Sequence, residues 1–301
     1  MNIHFKKLYS HGGIMTCKYL KKTGLFVLIL TQFCFFSCVK EIFSPRVDFD
    51  YISAKNSYTQ PLTISPNDNS VNFSRGLIRI EPSKESQTYT ISGYFNGQIY
   101  VATKNTIIKL NNVYLENTMG KPAILSKSKF ELSSAKDSVN YIIGRGRSFS
   151  KTAAVKSKKD FVLGGSGTLY IKGNVRHAIL ADDMKMKGSH TLYCAGTSHG
   201  SAILCNKFTV EPEKTFNAYL LNSKNGINAD NSIKIDSGNF YLYDNETALK
   251  TETSNKKERK IKLTGGTFHI AGNENLYKTN KKSYDASGAE FIQESNNEEE
   301  N

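Results

Sequence analysis

The chain has no tryptophan, only 6 prolines and only 5 cysteines among 301 residues. Its aromatic content therefore rests on 17 Phe and 16 Tyr, which with the abundant Ser, Asn and Lys favour strands and turns over helices. The cysteine spacing suits no zinc site. The apolar run Leu25 to Leu30 is too short and interrupted for a comfortable membrane span. Basic runs interleaved with aromatics, which base stacking requires, are missing as well, and this argues against nucleic acid as a partner. Acids that recur at matching positions are few, so paired carboxylates for glycoside hydrolysis find no nominees.

What is present begins with an export signal. Lys18, Lys21 and Lys22 precede the apolar run, and Phe33 to Ser37 leads to Cys38. Charged region, apolar region and processing site stand in the order of a secretory leader, for which Met15 is a fitting start. Residues 1–37 are read as a lipoprotein signal peptide and Cys38 as the lipidated residue, with ordinary cleavage or a retained anchor as the alternatives. Several acyl chains, at about 0.8 kcal/mol per buried methylene, make such an anchor stable. The expected location is exported and membrane-anchored, at the outer membrane or cell surface. Residues 1–37 carry five Lys and no acid, so their removal leaves 35 basic against 27 acidic residues and lowers the net charge from +13 to +8. For a basic protein outside the cytoplasm, acidic polysaccharide or a membrane surface is the fitting electrostatic partner.

A repeat decides the architecture. A small residue followed by a branched apolar one recurs as Ala123 Ile124, Ala154 Val155, Ala178 Ile179, Ala202 Ile203, Gly226 Ile227 and Ala248 Leu249, at steps of 31, 24, 24, 24 and 22 residues. A second strand follows in each copy, with inward pairs Phe130/Leu132, Phe161/Leu163, Met184/Met186, Phe208/Val210, Ile233/Ile235 and Ile261/Leu263. Glycine turns come next in most copies, and then a third strand with inward pairs Leu169/Ile171, Leu192/Cys194, Phe216/Ala218, Phe240/Leu242 and Phe268/Ile270. One such coil cannot bury its inward residues or pair its backbone alone, so the coils must stack. The expectation is an all-β fold, a right-handed single-stranded parallel β-helix with coils of about 22–24 residues over 87–275. Residues 38–86 are read as anchor linker and capping strands, and 276–301 as a polar, disordered tail. Cys194 and Cys205 fall at inward positions, where free buried thiols are favoured over a disulfide.

Several strings carry a family resemblance: TYTISGYFNGQIYV (Thr88 to Val101), IIKLNNVYLEN (Ile107 to Asn117), PAILSK (Pro122 to Lys127) and GSGTLYIKG (Gly165 to Gly173). Over roughly Ser70 to Asn273 the chain resembles the bacterial cell-surface carbohydrate-binding family related to the Clostridium polysaccharide-binding β-helix proteins. The resemblance implies a pectate-lyase-like β-helix, binding of plant-type or acidic polysaccharide, calcium on the helix, and no demonstrated lyase activity. Its calcium part transfers poorly. Acids that flank the small-plus-branched motif in the family are mostly replaced here, by Thr152/Ala153, His177, Ser201, Asn225 and Thr247. Asp182, Asn206 and Asp230 remain as the best oxygen cluster, beside a column of Asp183, Lys207 and Asn231 that carries a cation. Calcium requires six to eight hard oxygens, and a solvated polar ladder is the plainer reading.

For polysaccharide the candidates are outward residues of the third strand, Tyr170, Tyr193, Tyr219, Tyr241 and Tyr243, whose ring faces would stack on sugars, with Lys172 answering acidic groups. The alternatives are that these tyrosines form a stabilising strand ladder or that a terminal segment covers the stripe. No catalytic residue is assigned. A pectate-lyase-like reaction would use an Arg or Lys beside calcium, with Arg145, Arg147 and Arg176 as the attractive arginines, and a rigid adhesive spacer is the remaining reading.

Overall fold

A computed structural model of the chain describes residues 51–145, 152–211, 215–251, 260–279 and 283–294. Residues 1–37, Cys38, Arg147 and the acidic run from Glu298 to Glu300 lie outside the described residues. Inward and outward positions alternate along almost every strand, as in Phe161–Gly165 and Thr168–Gly173, and each strand pairs in parallel with its equivalents in the windings before and after it. The result is a parallel β-solenoid of about 8 turns.

Three sheets run along the solenoid. The first holds the small-plus-branched motifs, so that Val155, Ile179, Ile203, Ile227 and Leu249 lie in register on successive levels. In the second, Phe130, Phe161, Met184, Phe208, Ile233 and Ile261 form one continuous internal column, all of it buried. The third contains Val139–Gly144, Thr168–Gly173, Thr191–Ala195, Asn217–Leu221, Asn239–Tyr243 and Thr267–Ala271. Between the second and third sheets the chain turns through glycines in the left-handed region. A Cβ on Gly165 (φ 101°) would stand 2.2 Å from the Ser134 carbonyl oxygen, so no other residue fits this corner.

Three expectations change. The inward pair of Asn217–Leu221 is Ala218/Leu220, which align with Leu192/Cys194 and Phe240/Leu242, whereas Phe216 is buried at the preceding corner. The tail expected to be disordered instead builds a further winding where it is described: Asn275–Lys278, Tyr284–Asp285 and Glu290–Gln293 pair with the three sheets in turn. Leu276, Tyr284, Ala286 and Ala289 pack against the core from this level. The Asp182, Asn206, Asp230 column is interrupted, because a bulge between Cys205 and Lys207 puts Asn206 opposite two residues of the next winding.

Ahead of the first complete winding, the hairpin Val71–Ser74 with Leu77–Ile80 and the antiparallel strand Thr63–Ser65 close the end of the core. A short helix, Tyr51–Lys55, precedes them. Cys194 and Cys205 are free and buried, and burial pushes both thiols well above their ordinary range. Among the described residues no helix is long and apolar enough to cross a membrane.

Candidate functional site

Of the outward columns of the third sheet, one (Lys172, Ala195, Leu221, Tyr243, Ala271) is largely covered and two reach the surface. One of the two runs Thr168, Thr191, Asn217, Asn239, Thr267, and within it the Asn239 amide donates to Asn217 Oδ1 at 3.1 Å. The other is aromatic. Tyr141, Tyr170, Tyr193, Tyr219, Tyr241 and His269 sit one above another with ring centroids 4.7, 4.5, 4.5, 4.1 and 4.3 Å apart and ring planes within 13° of parallel. Towards the first windings the column continues, more tilted, through Tyr114 (5.6 Å) and Tyr94 (6.0 Å).

This geometry corrects how a sugar would meet the rings. Strands about 4.8 Å apart leave parallel rings in van der Waals contact, so each face is covered by its neighbour. What half-exposed Tyr170, Tyr193, Tyr219 and Tyr241 offer outward is a ring edge. Burial raises the Tyr170 and Tyr219 phenols to about 12, which keeps them neutral at physiological pH. Beside the Thr and Asn column they make a strip of uncharged hydroxyl and amide groups along four windings, which ends where His269 pairs with Glu294 at 2.8 Å and Thr267 donates to Glu290 at 3.2 Å.

Four of the six residues expected to bind sugar therefore share one column, and two lie elsewhere. Tyr243 is 3 % exposed and belongs to a separate apolar cluster with Ala195, Leu221 and Ala271; burial raises its phenol, which bonds Glu294. Lys172 is in register with Ala195, and its ammonium donates to the Gly196 carbonyl at 2.9 Å. Burial lowers its pKa. Its charge is held by the fold and does not point along the strip. Tyr94, Tyr114 and Tyr141 were not foreseen as rungs. The signal was hidden because Asn140, a polar residue, occupies the inward position before Tyr141; it is fully buried and bonded to the Val113 amide, Ser138 and the Thr168 carbonyl.

The second sheet has the opposite character. Its charges are paired across windings, Lys187 with Glu131 at 2.7 Å, Lys185 with Glu211 at 3.1 Å and Lys207 with Asp183 at 3.4 Å. The calcium candidates lie at its edge. Asn206 donates to Asp183 at 2.8 Å and accepts from Asn231 at 3.0 Å, while Asp182 and Asp230 are exposed on either side. A ladder already bonded to itself and to an ammonium does not fit a dication needing six to eight oxygens. Among the described residues no group of three or more His, Cys, Asp or Glu is gathered to hold a metal ion.

Of the arginines nominated for lyase chemistry, Arg145 and Arg176 are described. Arg145 Nε lies 3.2 Å from the buried Glu116 carboxylate, and its guanidinium sits 5.5 Å from the centre of the Tyr51 ring. Glu116 also accepts from Lys55 and from Tyr94 Oη at 2.6 Å. Arg176 borders a narrow cleft with Thr152 and His177, and His177 Nδ1 accepts the Ser201 amide at 2.9 Å.

Fold and surface together define a parallel β-solenoid with one tyrosine-laddered face, uncharged from Tyr170 to Tyr241, and one ion-paired face. Residues 78–200 match the family described as carbohydrate-binding domain-containing protein. The chain is also similar to the solved structure of the polysaccharide lyase-like protein from C. thermocellum, a gadolinium derivative, with a TM-score of 0.59 and 18% identity over 76% of this chain and 92% of that one. At this identity the likeness establishes the shared fold. No curated protein matches the chain.

Proposed function

We propose that this chain is an exported, lipid-anchored protein that binds polysaccharide without cleaving it, the glycan lying along the neutral strip of the third sheet. The observation that carries the reading is the strip itself: hydroxyls and amides repeat over the windings from Thr168 to Tyr241, without the cross-winding lysine–carboxylate pairs seen on the next sheet. The family match supports it, since residues 78–200 include the rungs from Tyr94 to Tyr193. Direct contacts would be hydrogen bonds to phenol, threonine and asparagine groups. The net charge of +8 once residues 1–37 are removed would draw acidic, pectin-like chains at long range and lose that pull as salt rises. Calcium has no part in this reading, because the groups around Asn206 are bonded to each other. Catalysis has none either, because Arg145 is held by Glu116.

Affinity electrophoresis in gels containing polygalacturonate or neutral glycans tests this directly. Tyr193→Phe keeps the ring stack and removes one hydroxyl; retardation should weaken by about 2- to 10-fold, the worth of one hydrogen bond, at an unchanged melting temperature. Wild-type retardation in that variant would displace the glycan from the strip, and no retardation by any glycan would favour an adhesive or spacer role. Unsaturated product released from polygalacturonate would overturn the non-catalytic reading.

A further inference from the structure

At the end of the tyrosine ladder the surface opens into a concavity of about 540 Å³, within the range of small-ligand sites. It is walled by Ser57, Tyr58 and Gln60 on one side and by Ser92, Asn111 and Asn112 on the other, with no charged side chain in its lining. Two departures from regular strand pairing create it. Opposite the single residue Ser92, the strand Thr106–Asn117 inserts both Asn111 and Asn112, because Ile91 aligns with Leu110 but Gly93 with Val113. Asn112 adopts φ 56°, a conformation that asparagine tolerates better than most residues. The incoming segment Ser57–Gln60 then runs beside this bulge, held by the Tyr94 amide donating to the Gln60 carbonyl at 2.9 Å.

Both walls are fixed before any ligand arrives. Tyr58 Oη donates to the Val139 carbonyl at 2.6 Å, and the Val139 amide donates to Asn112 Oδ1 at 3.0 Å. The Tyr58 ring is braced against Tyr114 and Tyr141 at 5.6 and 6.0 Å. Pre-ordered groups bind with less loss of entropy. The chemistry on offer is an aromatic ring, side-chain amides and hydroxyls, which matches a molecule with apolar C–H surface and many neutral hydroxyls.

We infer that this concavity is a binding site for a single uncharged sugar residue, either a chain end or a neutral branch of the glycan whose length lies on the strip. The inference rests on the glycan-binding reading but concerns a separate site with its own selectivity. In a chain with 40 basic residues, a lining without one offers a uronic carboxylate no cation, so the site favours neutral sugars.

Saturation-transfer NMR on the purified protein, with methyl glycosides of neutral hexoses and with methyl galacturonide, tests it. At least one neutral glycoside should give a signal that Asn111→Ala weakens at least fivefold, while the galacturonide gives none. Should Asn111→Ala alter the melting temperature, Ser92→Ala provides the same comparison and must weaken the signal likewise. No signal from any neutral glycoside, a signal that survives the pocket variants, or equal binding of the galacturonide would overturn the site. Retained polysaccharide binding with an inert pocket defeats this inference alone, whereas loss of both defeats the glycan reading as well.

Discussion

Single residues in the interior set how the fold responds to pH. His190 is 1 % exposed, with its ring stacked on Phe216 at 5.7 Å, and burial lowers its pKa to about 4 from 6.5. Above pH 6.5 the imidazole is neutral in both folded and unfolded chains, and its contribution to stability is complete. As pH falls towards 4 the unfolded chain takes up a proton that the folded one refuses, so stability declines, by on the order of 3 kcal/mol at the limit. His190→Phe retains an aromatic partner for Phe216 and removes this titration. Urea midpoints at pH 7 and pH 4.5 should differ less in the variant than in the wild type; equal differences would exonerate His190.

At the scale of elements, Glu116 joins the entry segment to the solenoid. Burial pushes its carboxyl upward, but Lys55, Tyr94 and Arg145 together outweigh that and hold it below the ordinary carboxylate range. Its stabilising contribution is thus present above the unfolded pKa of about 4.3 and is lost as pH falls through the lowered value. Glu116→Gln leaves two cations facing a neutral amide, at a penalty of about 1–3 kcal/mol. The loss should be local, because the amides of Asn56, Ser57 and Tyr58 bond within the segment, to Ser53, Ala54 and Lys55. Hydrogen exchange should accelerate at the Tyr58 amide, which donates to Lys55, and stay slow at Ile142 and Ile171. Uniform acceleration would show that Glu116 supports the whole fold.

The elements also show what pattern alone conveys. The columns of the first two sheets were legible because the same inward residue types recur at steps of 22 to 31 residues, and stacking demands that recurrence. The third-strand register was not legible at Phe216. Phe216 and Ala218 have the same parity, so alternation is blind to a slip of two residues, and a longer connection before Asn217 supplied the slip. The last winding escaped notice because its partners are half-buried Leu276, Tyr284, Ala286 and Ala289, too sparse to read as a core. The tyrosine column could be read as outward, but which way its rings turn depends on their contact with one another, which periodicity does not encode. The concavity beside Tyr58 needed a bulge and a distant segment, neither of which leaves a periodic trace.

At the scale of the whole molecule, stability is distributed among windings that each touch only their neighbours, so a full period is dispensable where a partial one is not. Removing the 24 residues Ala178 to Ser201 would join His177 to Ala202 in phase, since Ile179 already pairs with Ile203. Phe161 would then meet Phe208, and Tyr170 would meet Tyr219, each being the next member of its own column. The shortened chain should be a folded monomer with the wild-type β-sheet circular dichroism band and a melting temperature lower by several degrees. Removing only Ala178 to Ser189 deletes half a winding and presents the third-sheet strand Thr191–Ala195 where a first-sheet strand belongs. Its core columns lose continuity and its backbone groups lose partners, so this variant should elute as aggregate. If both deletions behaved alike in gel filtration and melting, whether folded or aggregated, then stacking in register would not be what holds the molecule together.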